Sequence, residues 1–172
     1  MRGLYAFLFD GIIKPVKEVI ITKTREETER FASRLARQIL ELKSVRQAVV
    51  IGLVGDLGSG KTVFAKGFAK GLGVKEIIAS PTFVLEKIYK LAAKNYRHLI
   101  HIDAYRLENS KELIDLGIKE LIRDSRNIIL VEWADKVKKI IPQKSILIRF
   151  ETLKKNQRKI CIKINKNSYG EK

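Results

Sequence analysis

Apolar residues at Phe31, Leu35, Ile39 and Leu42 recur every three or four positions, which predicts one amphipathic helix over residues 25–42. Thr24, followed three positions on by Glu27, is the capping-box pattern, in which a hydroxyl and a carboxylate take up amides left unpaired at a helix start. Ahead of it the β-branched run Val19-Ile20-Ile21 predicts a short strand. A different pattern follows: Ala48 to Val54 is apolar at every position, as in a strand covered on both faces, and Ile128 to Val131 repeats it before Glu132. Phe83–Leu91 and Leu99–Ala104 read as further strands, and 145–151 with 158–164 as a hairpin around the polar Lys154–Gln157. Helical character returns from Val63 to Leu72, where Gly73 is a C-terminal stop, and over 110–123 as one or two short helices. A last short helix is predicted from near Asp135 to Pro142. With no internal repeat or linker, the reading is a single α/β domain over 18–172, a central mixed β-sheet flanked by helices, behind an N-terminal extension (1–17) without an assigned role.

Between the apolar strand and the helix at Val63 stands Gly55-Asp56-Leu57-Gly58-Ser59-Gly60-Lys61-Thr62, a complete P-loop pattern in its expected strand–loop–helix context. The glycines let backbone amides wrap closely around phosphates, and the N-terminus of the following helix adds to the anion field. Lys61 is the residue expected to reach the β- and γ-phosphates and Thr62 to bind Mg²⁺ through its hydroxyl, with Val63 continuing the nucleotide-binding stretch. The fold class is therefore a P-loop NTPase domain. Such a site also needs an acid at the carboxyl end of a buried strand, and two candidates exist: Asp103 after Leu99–Ile102, and Glu132 after Ile128–Val131. From residue types alone the choice between them stays open. Thr82, within Ser80-Pro81-Thr82, lies where nucleotide switches place a γ-phosphate-sensing threonine, though an ordinary turn fits the same spacing. His101 and Asp103 share a face if 99–104 is a strand. Arg106 suits a phosphate, a partner or a surface ion pair, and Trp133 suits the core or the site.

Charge adds a second theme. The net charge is +16, and residues 136–172 carry twelve Lys/Arg against two Glu, a surface that attracts RNA or an acidic partner. A general lysine- and isoleucine-rich bias gives the same excess, and the aromatic–basic interleaving of a dedicated RNA platform is absent. A single cysteine, Cys161, excludes an internal disulfide and sits in the alternating Ile160-Cys161-Ile162, a core or sheet position. The apolar run Leu4–Phe9 is interrupted by Asp10 without a cleavage signal, and no stretch has the length of a membrane span, so the expectation is a cytoplasmic chain.

Four motifs in order, GDLGSGKT, SPTF followed by Tyr89, HIDAYRLE and VEWAD, together with ELIDLGIKELI between the last two, resemble the TsaE (YjeE) family. These are P-loop ATPases of bacterial tRNA threonylcarbamoyladenosine synthesis. The resemblance runs from about Val19 to the late strands. It implies that Lys61 binds phosphate, that Thr62 and Glu132 hold Mg²⁺, that Asp103 serves hydrolysis and that Thr82 belongs to a switch loop. It further places Trp133 beside the metal acid, an early nucleotide contact within Thr24–Thr28 and a late arginine contact at Arg158. Ala134 stands where many members have proline, which implies a looser turn after Trp133. The family's implied role is Mg-dependent ATP hydrolysis that resets the TsaD–TsaB complex, in which TsaD modifies adenosine 37 of tRNAs reading codons that begin with A. A tRNA contact through the basic C-terminal region is a further expectation. The competing readings are a P-loop small-molecule kinase, against which the absence of an Arg-rich lid counts, and a non-catalytic RNA-binding or assembly subunit that uses ATP only for structure. No N/T-K-x-D motif supports guanine selectivity.

Overall fold

The computed structural model describes residues 17–42, 46–76, 85–154 and 156–164. Within them the chain forms β1 (Lys17–Thr22), α1 (Arg25–Leu40), β2 (Val49–Val54), α2 (Lys61–Gly71), β3 (Glu86–Lys90) and β4 (His98–Asp103). It continues through α3 (Lys111–Asp115), α4 (Ile118–Arg123), β5 (Asn127–Glu132), β6 (Ile146–Thr152) and β7 (Arg158–Ile164). Seven strands make one mixed sheet in the order β1-β7-β6-β2-β5-β4-β3. β2 runs parallel to both β5 and β6, and β4 runs parallel to β5. The margins are antiparallel, β3 on β4 at one side and β1 on β7 on β6 at the other.

The fully apolar runs occupy the middle of this sheet because both faces are covered there. Val49, Ile51 and Leu53 of β2 join Ile128 and Leu130 of β5 in a core with α1 and α2. Val50, Ile129 and Val131 face the opposite core, closed by Leu113 of α3, Ile118 of α4 and Val137. Asp103 and Glu132, at the ends of β4 and β5, stand in register with each other on the α2 side of the sheet.

Thr24 caps α1 as its sequence predicts, its hydroxyl accepting from the Glu27 amide at 3.1 Å. The Glu27 carboxylate closes back on the Lys23 amide at 2.6 Å, one residue earlier than the standard box. α1 then buries Ala32, Leu35, Ala36 and Ile39. It crosses α2 so closely that a Cβ on Gly67 would lie 2.4 Å from the Glu29 carbonyl oxygen and 2.5 Å from its Cα. Only glycine fits at that contact. Gly67→Ala should therefore cost about 2 kcal/mol, although the same change in an exposed helix gains about 1 kcal/mol. A lower urea midpoint at unchanged m checks the sign.

The stretch 110–123 is two helices, divided at Gly117. Two expectations are corrected. Residues 135–142 form no α-helix. Their amides close on carbonyls three residues back, Lys136 on Trp133, Val137 on Ala134 and Ile140 on Val137, so the segment is a chain of tight turns. It is tied down at both Ala134 and the fully buried Val137, and Pro142 disfavours helix at Ile141. Nor does Ala134 loosen the turn: its amide donates to the Leu53 carbonyl at 3.1 Å, a bond proline could not make. The predicted strand from Phe83 begins, among the described residues, at Glu86. Cys161 is a half-buried position on β7, as its alternation suggests. Residues 1–16 of the expected extension, and 165–172 of the basic tail, lie outside the described residues.

Candidate functional site

β2 ends at Val54 and the chain turns at once into the loop that starts α2. Gly60, the residue before the helix, has φ 106°, a left-handed conformation that L side chains rarely adopt. No side chain caps the first turn of α2, so its leading amides face the loop without a protein acceptor from that cap. Inside the loop the Ser59 hydroxyl is buried and has no hydrogen-bond partner among the described residues. A buried orphan of this kind beside uncapped amides fits a phosphate ligand.

Lys61 is buried, at 4% exposure, and its Nζ donates to the carbonyls of Gly55 (2.7 Å) and Asp56 (2.8 Å). The same ammonium stands 3.6 Å from the centre of the Trp133 ring. Burial pulls its pKa below the ordinary lysine value, while the negative charges of Glu132, Asp135, Asp103 and Asp56 oppose that shift. Trp133 holds this place with φ 59°, a left-handed backbone at a non-glycine residue. Its ring meets that of Tyr105 at 5.0 Å.

One residue on, the Thr62 hydroxyl donates to Glu132 Oε2 at 2.9 Å, joining the start of α2 to the end of β5 across 70 residues. The other oxygen, Oε1, accepts from His101 Nε2, also at 2.9 Å, with both side chains at 1% exposure. Asp103 is buried beside Glu132, and its Oδ1 accepts from the Tyr105 amide at 3.0 Å. Among the described residues no group of three His, Cys, Asp or Glu is placed to cage a metal. Hydroxyl and carboxylate oxygen together nevertheless fit Mg²⁺, which takes one or two protein oxygens and fills its octahedron with phosphate and water. They do not fit zinc, which favours nitrogen and sulfur.

On the other side of the loop a cleft of about 410 Å³ opens between the start of α1 and the β6–β7 turn. Thr24, Arg25 and Thr28 line one wall, Gly58, Gly60 and Val63 the floor, and Asn156 and Arg158 the far wall. Thr28 is fixed there by a 2.8 Å bond between its hydroxyl and that of Thr22. The Arg158 guanidinium reaches back over the loop, donating to the Gly58 carbonyl at 3.4 Å. Asp56 and Leu57 form the exposed tip of the loop, with Leu57 79% exposed. Of the residues expected to contact nucleotide, metal or water, Thr82 lies outside the described residues, while Gly55–Val63, Asp103, Glu132, Trp133 and Arg158 stand on this loop or at its flanks.

The profile of one family, described as Threonylcarbamoyl adenosine biosynthesis protein TsaE, matches residues 22–160. The chain belongs to the TsaE family. It is 39% identical over 148 residues to the tRNA threonylcarbamoyladenosine biosynthesis protein TsaE of Bacillus subtilis, covering 86% of each chain. Identity to the Haemophilus influenzae TsaE is 34%, over 71% of this chain and 74% of the relative. Among solved structures, that of Bacillus subtilis YdiB superposes with a TM-score of 0.69 at 29% identity, covering 88% of this chain and 87% of the other. The TsaE match begins at the last residue of β1 and ends inside β7, so it contains every site residue described above.

For this TsaE chain, residues reachable only through the fold complete the site. Lys23 and Asn156 line the cleft without any sequence signal, since each belongs to an ordinary polar loop. Tyr105 was legible only as part of HIDAYRLE, and its contact with Trp133 depends on the β4–β5 pairing. No helix among the described residues is long and apolar enough to cross a membrane.

Proposed function

We propose that this TsaE-family protein is a Mg-dependent ATPase that supports tRNA threonylcarbamoyladenosine synthesis by acting on a TsaD–TsaB complex. The family's place in that biosynthesis is given by its relatives; the hydrolytic reading is supported above all by the Thr62–Glu132 hydrogen bond at the mouth of the P-loop. In this reading the loop amides and Lys61 bind the β- and γ-phosphates, and the cleft between α1 and Arg158 takes the nucleoside end. Thr62 and Glu132 are the residues that would hold Mg²⁺, whose charge offsets the charge building on the transferred phosphoryl group. Asp103, one strand over from Glu132, orients the attacking water and accepts its proton. Thr82 is assigned to a switch loop by the family resemblance, and a tRNA contact is assigned to the basic C-terminal region, residues 136–172, on charge alone.

Release of free phosphate from Mg-ATP, measured for the protein alone and with TsaD–TsaB and tRNA, tests this. Slow release that rises with the partners is the expected result. Phosphate transferred to an added small molecule, with no free phosphate formed, would establish a kinase instead.

A further inference from the structure

We infer that His101 is a positioning residue for the metal end of the site: it holds Glu132 by Oε1 so that Oε2 stays turned towards Thr62. The inference rests on the magnesium reading above and extends it to a side chain that touches neither phosphate nor metal.

The geometry is specific. His101 lies opposite Leu130 in the parallel β4–β5 pair, and Glu132 lies opposite Asp103, so the imidazole reaches diagonally, two residues along, to find the carboxylate. Both groups are at 1% exposure, where water cannot substitute for a missing donor. Each carboxylate oxygen has its own partner, Nε2 of His101 on Oε1 and the Thr62 hydroxyl on Oε2, both at 2.9 Å. A carboxylate offers only acceptors, so Nε2 carries the proton of this bond. With its hydrogen directed at Oε2, the Thr62 hydroxyl keeps its lone pairs for a cation. Held by one oxygen alone, the carboxylate would turn about its last bond, and the two cation-facing oxygens would no longer be presented together. Hydrogen bonds behind a ligating side chain commonly set metal affinity in this way.

Reach separates this role from mere filling of the core. A glutamine amide nitrogen at 101 extends about as far as Nε2, an asparagine amide falls short, and leucine has no donor. The experiment is Mn²⁺ binding to the full chain saturated with ADP, followed by electron paramagnetic resonance, with ADP affinity in EDTA as the metal-free control. His101→Leu and His101→Asn should weaken Mn²⁺ by about tenfold or more, while His101→Gln stays within about threefold of wild type and ADP binding in EDTA is unchanged. Should the leucine variant fail to fold, the contrast between asparagine and glutamine decides alone. Wild-type Mn²⁺ affinity in the asparagine variant, or equal losses in asparagine and glutamine, would overturn the inference. Glu132→Gln is the reference for the underlying site. If it leaves Mn²⁺ binding intact, the magnesium reading falls and this inference with it. If it weakens Mn²⁺ while the His101 variants do not, only the positioning role is lost.

Discussion

Replacing Lys61 with alanine should lower ATP turnover by about 10²–10³-fold, the loss typical of removing one charge-stabilising donor from a phosphoryl-transfer site. Its ammonium sits at the start of α2, where the uncapped amides and the orphan Ser59 hydroxyl also converge. Phosphate release under saturating Mg-ATP, together with ADP affinity by calorimetry, measures the effect. Turnover within a few-fold of wild type would remove Lys61 from the hydrolytic mechanism.

The fold should not suffer with the activity. Lys61 is a desolvated cation, and burial lowers its pKa in the native state. The unfolded chain then binds this proton more tightly than the native one, so the group destabilises the fold fully at pH below its native pKa. That cost is relieved as pH rises through the native pKa towards the ordinary lysine value. Lys61→Met, which removes the charge and keeps the stem, should melt no lower than wild type at about pH 7. Its advantage in urea midpoint should shrink as pH rises to about 10, because wild type sheds its penalty there. An advantage that grew with pH would mean that contacts to the Gly55 and Asp56 carbonyls and to Trp133 outweigh the burial cost.

Asp103→Asn should lower kcat by about 10²–10⁴-fold with KM for Mg-ATP changed only a few-fold. The amide oxygen can still accept from the Tyr105 amide, so the turn after β4 survives the change. What is lost is the carboxylate that the proposed mechanism uses as proton acceptor, on the strand next to Glu132. Equal losses in affinity and turnover would instead place Asp103 among the groups that bind the nucleotide. Hydrolysis at the wild-type rate would leave Glu132 as the acting carboxylate.

Much of this was legible in local pattern. The run Ala48–Val54 followed by GDLGSGKT marks a central strand, a phosphate loop and a helix start, because each depends on neighbours within a few residues. Thr24 and Glu27 announce α1 for the same reason, and the cap is present at the predicted residue. The stretch 135–142 misled because its residue pattern suits a short helix, while anchoring of Ala134 and Val137 to the sheet end holds it in turns. Ala134 misled in the opposite sense: its amide bond to Leu53 belongs to a strand 81 positions away in the chain.

By itself the sequence determined the fold class, the phosphate loop and the short list of strand-end acids, since these follow from periodicity, glycine spacing and side-chain chemistry. Residue types alone left open which acid meets Thr62; the family resemblance pointed to Glu132, and strand order supplies the physical reason. β5 lies directly beside β2, so Glu132 ends next to the start of α2, and β4 lies one strand further out, leaving Asp103 at the flank. The same pairing turns His101 from a plain strand residue into the second support of Glu132, and the β6–β7 hairpin brings Arg158 back to Gly58 across 100 residues. Contacts between distant segments are absent from local pattern, because they exist only once the register of neighbouring strands has been set.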